Sequence, residues 1–208
     1  PDRPPPRMAT PLTDYIAGVY GAFGTVMAIL ERHRTGRGQV VDSALYEASF
    51  SFMEPHIPAF QQLGIVAKRA GSHLPGNAPN SIYPTRDGGF VLITAAADAV
   101  FQRLARAMGR ADMIDDPLFA TSIVRGENMS ACDDAVTAWS TTLDMADVES
   151  AMDAAKVPAA RIYTVADIFS DPHYKARDML VEVEDDVLGP VTLAGVVPKL
   201  SASPGRIR

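Results

Sequence analysis

Cysteine is nearly missing from this chain: Cys132 is the only one in 208 residues. An intrachain disulfide is therefore excluded, as is a zinc site built on several thiolates, and the usage suits a reducing, cytoplasmic compartment. Basic charge is also in deficit. Lys and Arg number 19 against 25 Asp and Glu, a formal net charge of -6, which argues against a nucleic-acid or anionic membrane surface because phosphate binding needs a basic field. A local basic pocket for a small anion stays open. No long uninterrupted apolar run is present. The longest apolar stretch, Tyr15 to Leu30, is broken by glycines and falls short of the roughly 20 residues of a membrane-spanning helix, so it reads as a buried helix rather than a span.

Metal-ligand spacing is lacking too. His33, His56, His73 and His173 are scattered, and none has a second ligand-type residue at a metal-binding interval, so no metal site is expected. G-x-S-x-G, H-E-x-x-H and a P-loop are all absent. TGRGQ, residues 35 to 39, has the glycines of a phosphate loop but follows a helix and precedes a strand, the wrong order for a helix N-terminus to receive phosphate. The acidic pairs Asp115–Asp116, Asp133–Asp134 and Asp185–Asp186 read as solvated charge in turns and on polar helix faces.

What is present begins with a proline-rich run, PDRPPPRMATP, which reads as extended chain in the middle of something longer. A helix is expected from about Tyr15 to Arg34, capped by Thr13 or Asp14. Ala17, Gly21, Gly24 and Ala28 fall on one stripe where another backbone can approach, and Gly36 stops the helix behind the cations of ERHR. QVVDSAL reads as a short strand. The helix beginning at YEASF is expected to end at Pro55 and Pro58. SIYPT and GFVLITAA form a hairpin turning at Asp87 and Gly88. Helices follow at about Asp98 to Met108 and between Glu127 and Ala155, with Trp139, Val136 and Leu143 facing the core. VPAARIY is a strand. Thr164 with Asp167 makes a capping box, and Asp171 with Pro172 starts a further helix. LVEVED and PVTLAGV close the chain as an antiparallel pair. The expected organisation is a portion of a large domain over 1–55, a linker over 56–75, a small inserted domain over 76–155 and a return to the large domain over 156–208.

Asp14 is the one carboxylate at the mouth of the apolar run PLTDYIAGVYGAFG. Local physics allows two roles, a helix cap or a nucleophile whose ionised form the helix dipole favours, and the two are compatible.

Three stretches taken in order, TDYIAGVYGAFGTVMAILERHRTGRGQVVDSAL, GNAPNSIYPTRDGGFVLITAA and VPAARIYTVADIFSDPHYKARDM, resemble the class III CoA-transferases. This family includes formyl-CoA and carnitine CoA-transferases and is related to the α-methylacyl-CoA racemases. The resemblance runs through the whole chain and is similar to the C-terminal half of a family subunit. It implies an α/β fold, with part of a large Rossmann-like domain plus a smaller inserted α/β domain, in interlocked homodimers. It implies that Asp14 is the catalytic nucleophile, passing through aspartyl anhydride and aspartyl-CoA thioester intermediates as CoA moves from an acyl-CoA to a small carboxylic acid. Coenzyme A enters as acyl-CoA substrate, with no permanently bound cofactor. The loop Leu74 to Pro79 matches the family's covering loop, with Gly76 and Asn77 the candidate contacts, although family members often carry a run of glycines where this chain has Gly76 alone. Two alternatives remain at this point: a 2-methylacyl-CoA racemase on the same scaffold, and a non-catalytic structural or dimerisation fragment.

Overall fold

The computed structural model describes residues 8–207; most of the proline-rich start lies outside the described residues. The chain divides into two compact units, Pro1–Arg69 and Ala70–Arg208.

The first unit is helical. Helix α1, Leu12–Thr35, runs 24 residues and ends at Gly36, whose φ of 73° is the left-handed cap conformation that glycine adopts without steric cost. Its start departs from expectation. Pro11 occupies the cap and makes no side-chain cap bond, so neither Thr13 nor Asp14 caps, and Asp14 sits inside the first turn. The Pro11 carbonyl instead accepts from Asp14 N–H at 3.1 Å and Tyr15 N–H at 3.2 Å. The small-residue stripe works at two of its positions. Ser43 Oγ donates to the Ala17 carbonyl at 3.1 Å, and a Cβ on Gly24 would stand 2.9 Å from Val41 Cγ1.

Helix α2, Leu45–Phe50, and a 3-10 turn, Ser51–Met53, pack back on α1. Tyr20 meets Phe52 edge to face at 6.4 Å, and its hydroxyl lies 3.0 Å from Ser51 Oγ. Residues 39–44 form no strand. Val40 is 92% exposed there, and a β-branched run without a neighbouring strand has nothing to pair with. Pro55 and Pro58 do not simply end a helix either. Pro55 precedes α3, His56–Leu63, and Pro58 is its third residue, a first-turn position where a missing N–H costs nothing.

The expectation of a buried α1 also fails within this unit. Ala17 is its one buried residue, while Tyr15, Val19, Phe23 and Leu30 are each more than half exposed. By length and composition the helix could cross a membrane, a test that core helices of soluble proteins also pass.

The second unit begins with the hairpin of β1, Asn80–Pro84, and β2, Phe90–Thr94, in antiparallel register with Ile82 opposite Leu92. Its turn closes with Thr85 N–H donating to the Gly89 carbonyl at 2.9 Å. Helix α4, Asp98–Ala107, lays Phe101, Leu104 and Ala105 into the core. Helices α5, Ser122–Glu127, α6, Met129–Ser140, and α7, Met145–Ala155, follow. Strand β3, Ala159–Arg161, adds antiparallel to β2 and completes a three-stranded sheet ordered β1-β2-β3.

Tyr83, Val91 and Ile93 from that sheet pack with Leu104, Val136, Val148 and Met152 to form the core. Trp139 and Leu143 pack partly buried against it. Helix α8, Val165–Ser170, starts at the Thr164–Asp167 capping box, and α9, Pro172–Ala176, at Asp171, whose carboxylate accepts from His173 N–H. A two-stranded sheet, β4, Leu180–Asp185, with β5, Gly189–Ala194, follows. Both sheets are antiparallel.

Leu104→Ala empties a fully buried site and is expected to lower the unfolding free energy by about 3 kcal/mol. Thr164→Ala removes a cap and is expected to cost about 1 kcal/mol. Denaturant titration followed by circular dichroism measures both, and equal effects would contradict this placement of the core.

Candidate active site

Asp14 projects from the first turn of α1 and is exposed. Its carboxylate makes no hydrogen bond or ion pair among the described residues, because backbone carbonyls rather than side chains close that turn. It lines an open recess of about 780 Å³ together with Thr10, Thr13, Ile16, Ser49 and Phe52. The walls are mostly apolar. Ser49 Oγ, on that wall, is shielded from solvent and has no hydrogen-bond partner among the described residues. Such a group is held at a cost unless a ligand or another part of the protein satisfies it.

Gly76 and Asn77 lie side by side in the loop Leu74 to Pro79 of the second unit. Gly76 has φ 72°. The loop turns tightly, with Asn77 N–H donating to the Leu74 carbonyl at 3.1 Å. Leu74, Gly76 and Asn77 are exposed, whereas Ala78 and Pro79 are buried.

Four side chains around this loop, His73, Tyr83, Asp133 and Arg125, have contacts that no local pattern in the sequence reveals. His73 Nδ1 lies 2.8 Å from Asp133 Oδ2, and Tyr83 Oη donates to the other Asp133 oxygen. Asp133 is buried while Asp134 is exposed, so the acidic pair on α6 is not uniformly solvated; helix phase turns one member inward onto two donors. Burial, with Asp133 beside it, holds the Tyr83 hydroxyl protonated well above the ordinary tyrosine range.

The fourth is Arg125 on α5, fully buried. It donates to the carbonyls of Ala78 at 3.2 Å, Phe119 at 2.7 Å and Ala96 at 2.6 Å, pairs with Asp98 at 2.7 Å, and stacks over Phe101 at 4.2 Å. Nothing in SIVRGEN marks this arginine as buried, since its partners are carbonyls scattered along the chain. The glycine after it was the local sign of a crowded position. Among the described residues no group of three or more His, Cys, Asp or Glu could hold a metal ion.

The model of CoA-transferase family III matches residues 1–208. The chain belongs to CoA-transferase family III. Succinyl-CoA–D-citramalate CoA-transferase of Chloroflexus aurantiacus is 43% identical over 207 residues, covering 100% of this chain and 52% of that protein. The beta subunit of succinyl-CoA–L-malate CoA-transferase from the same organism is 39% identical, with 96% and 50% coverage. A CAIB/BAIF family protein from Brucella suis superposes with a TM-score of 0.78 at 28% identity, covering 98% of this chain and 52% of its own. The chain thus has the α/β fold of class III CoA-transferases and spans about half the length of the curated relatives it matches.

Cys132, buried on α6, has its thiol pushed up to about 12, first by burial and then by neighbouring Asp133. At pH 8 the thiolate fraction is then about one in ten thousand. The folded protein is expected to resist iodoacetamide at that pH and to take up one label per chain on denaturation; mass spectrometry reads both states, and rapid labelling of the folded form would contradict the burial of Cys132.

Proposed function

We propose that this chain carries the nucleophile of an acyl-CoA:carboxylate CoA-transferase, with Asp14 as that nucleophile. The observation that carries the reading is Asp14 itself, a carboxylate free of hydrogen bonds among the described residues, on the wall of an apolar recess, in a chain belonging to a CoA-transferase family.

An Asp14 oxygen attacks the thioester carbonyl, the carbon–sulfur bond breaks, and CoA leaves as thiolate with a mixed anhydride on Asp14. The thiolate then attacks the aspartyl carbonyl, releasing the donor acid as carboxylate and leaving aspartyl-CoA. An acceptor carboxylate attacks that thioester to give a second anhydride, and the returning thiolate takes the new acyl group and frees Asp14. Each anhydride hydrolyses readily, so backbone N–H groups must stabilise the developing oxyanion while water is kept out. The Leu74–Pro79 loop, with Gly76 and Asn77, supplies that cover in the complete protein.

The names of the relatives, which specify succinyl-CoA with citramalate, malate or mesaconate, support a substrate class. The reading favours succinyl-CoA as donor and a short dicarboxylic acid as acceptor. The apolar face of α1, with one buried residue, calls for further apolar surface against which to pack.

In the complete protein, Asp14→Ala and Asp14→Asn are expected to lower CoA transfer from succinyl-CoA by at least about a thousandfold, the scale on which loss of a covalent nucleophile is felt. Hydroxylamine added during turnover should convert Asp14 to its hydroxamate, visible by mass spectrometry. Undiminished transfer in Asp14→Ala would overturn the reading, as would α-proton exchange on a 2-methylacyl-CoA without any CoA transfer.

A further inference from the structure

We propose that α5 and the start of α6 form a clamp that holds the Leu74–Pro79 loop in one fixed conformation, with Arg125 and Gly126 as its positioning residues. The loop is then a pre-set cover, whereas a glycine run would make it a swinging one. Its role as a cover rests on the function proposed above; the clamp itself stands on separate observations.

The loop is held at its start, middle and end. At the start, Leu74 N–H donates to the Asn80 carbonyl at 3.3 Å, and His73 is tied to Asp133 on α6. In the middle, Gly76 N–H donates to Met129 Sδ at 3.2 Å. Gly126 lies against the same residue so closely that a Cβ there would come within 2.6 Å of the Gly76 carbonyl oxygen. At the end, the Arg125 guanidinium takes the Ala78 carbonyl at 3.2 Å, and Ala78 is 1% exposed.

Pro75 and Pro79 fix two φ angles within the loop. A lid that swings needs backbone freedom at its hinges and exposed hydrogen bonds that break cheaply. Here the loop's inner side is bonded to a cation that cannot be deprotonated, and Ala78 could leave only by abandoning the most buried charge in the unit. A cover set in advance costs little ordering when substrate arrives. Its efficiency in excluding water then depends on how accurately α5 places Gly76 and Asn77.

The test uses the complete protein with Gly126→Ala, Met129→Leu, Arg125→Lys and Arg125→Met. Amide hydrogen exchange across residues 74–78, read by mass spectrometry, reports the clamp. The ratio of CoA transferred to acyl-CoA hydrolysed, with succinyl-CoA as donor, reports its effect on water. Loop exchange is expected to quicken about tenfold in Gly126→Ala and Met129→Leu, the scale of one lost hydrogen bond, with the transfer-to-hydrolysis ratio falling by a similar factor. Arg125→Lys should fall between the native protein and Arg125→Met, since lysine keeps the charge without the fork. Met129→Leu conserves volume and keeps the test open where Arg125→Met fails to fold. Unchanged loop exchange in both Gly126→Ala and Met129→Leu would overturn the clamp, and faster exchange with an unchanged ratio would overturn its part in excluding water. A native protein without any CoA transfer would instead overturn the proposed function, and the exchange measurement would still decide the clamp.

Discussion

Removing a guanidinium from water costs several kcal/mol unless its donors are met by well-placed acceptors. Arg125 meets that demand with three backbone carbonyls and one carboxylate drawn from widely separated parts of the second unit. Ala78 lies just before β1, Ala96 just after β2, Asp98 opens α4, and Phe119 precedes α5. Each of these segments is therefore fixed relative to the others through one cation. The pairing with Asp98 neutralises the charge, while the carbonyls satisfy the remaining donors. A neutral side chain of similar size would leave several of those carbonyls without partners, each at its own desolvation cost.

The two units use different physics. In the second, a three-stranded sheet and three helices, α4, α6 and α7, bury a continuous apolar cluster, and polar residues inside it are paired: Ser140 Oγ donates to the Pro84 carbonyl at 2.7 Å, and Asp133 sits between Tyr83 and His73. In the first, α1 holds small residues on the side where residues 41–43 approach and leaves large apolar residues outside. That outer face offers apolar surface for further packing.

Elements defined by local chemistry were legible in the sequence. Asp87 and Gly88 specified the hairpin, the Thr164–Asp167 box specified α8, and Gly36 specified the end of α1, because each acts within a few residues of itself. Features that depend on distant partners were not. Residues 39–44 have strand composition but no strand to join, and Asp133 looked solvated because its donors are 50 and 60 positions away along the chain, about the order of separation at which local pattern carries nothing. Arg125 was hidden for the same reason. Asp14 was singled out by its surroundings, but its cap role was misread: Pro11 closes the turn from the backbone side.

The backbone closure of that turn bears on chemistry. A capping aspartate spends a carboxylate oxygen on a backbone N–H, which lowers its nucleophilicity and fixes its rotamer toward the helix. With the Pro11 carbonyl accepting from both Asp14 and Tyr15, the turn is bonded through the backbone, and the Asp14 carboxylate keeps both oxygens free. Its position within the first turn still lies in the positive field of the helix end. The side chain thus retains the electrostatic benefit of a helix start without the hydrogen bond that would occupy it, which is what a carboxylate needs if it is to attack a carbonyl and be regenerated.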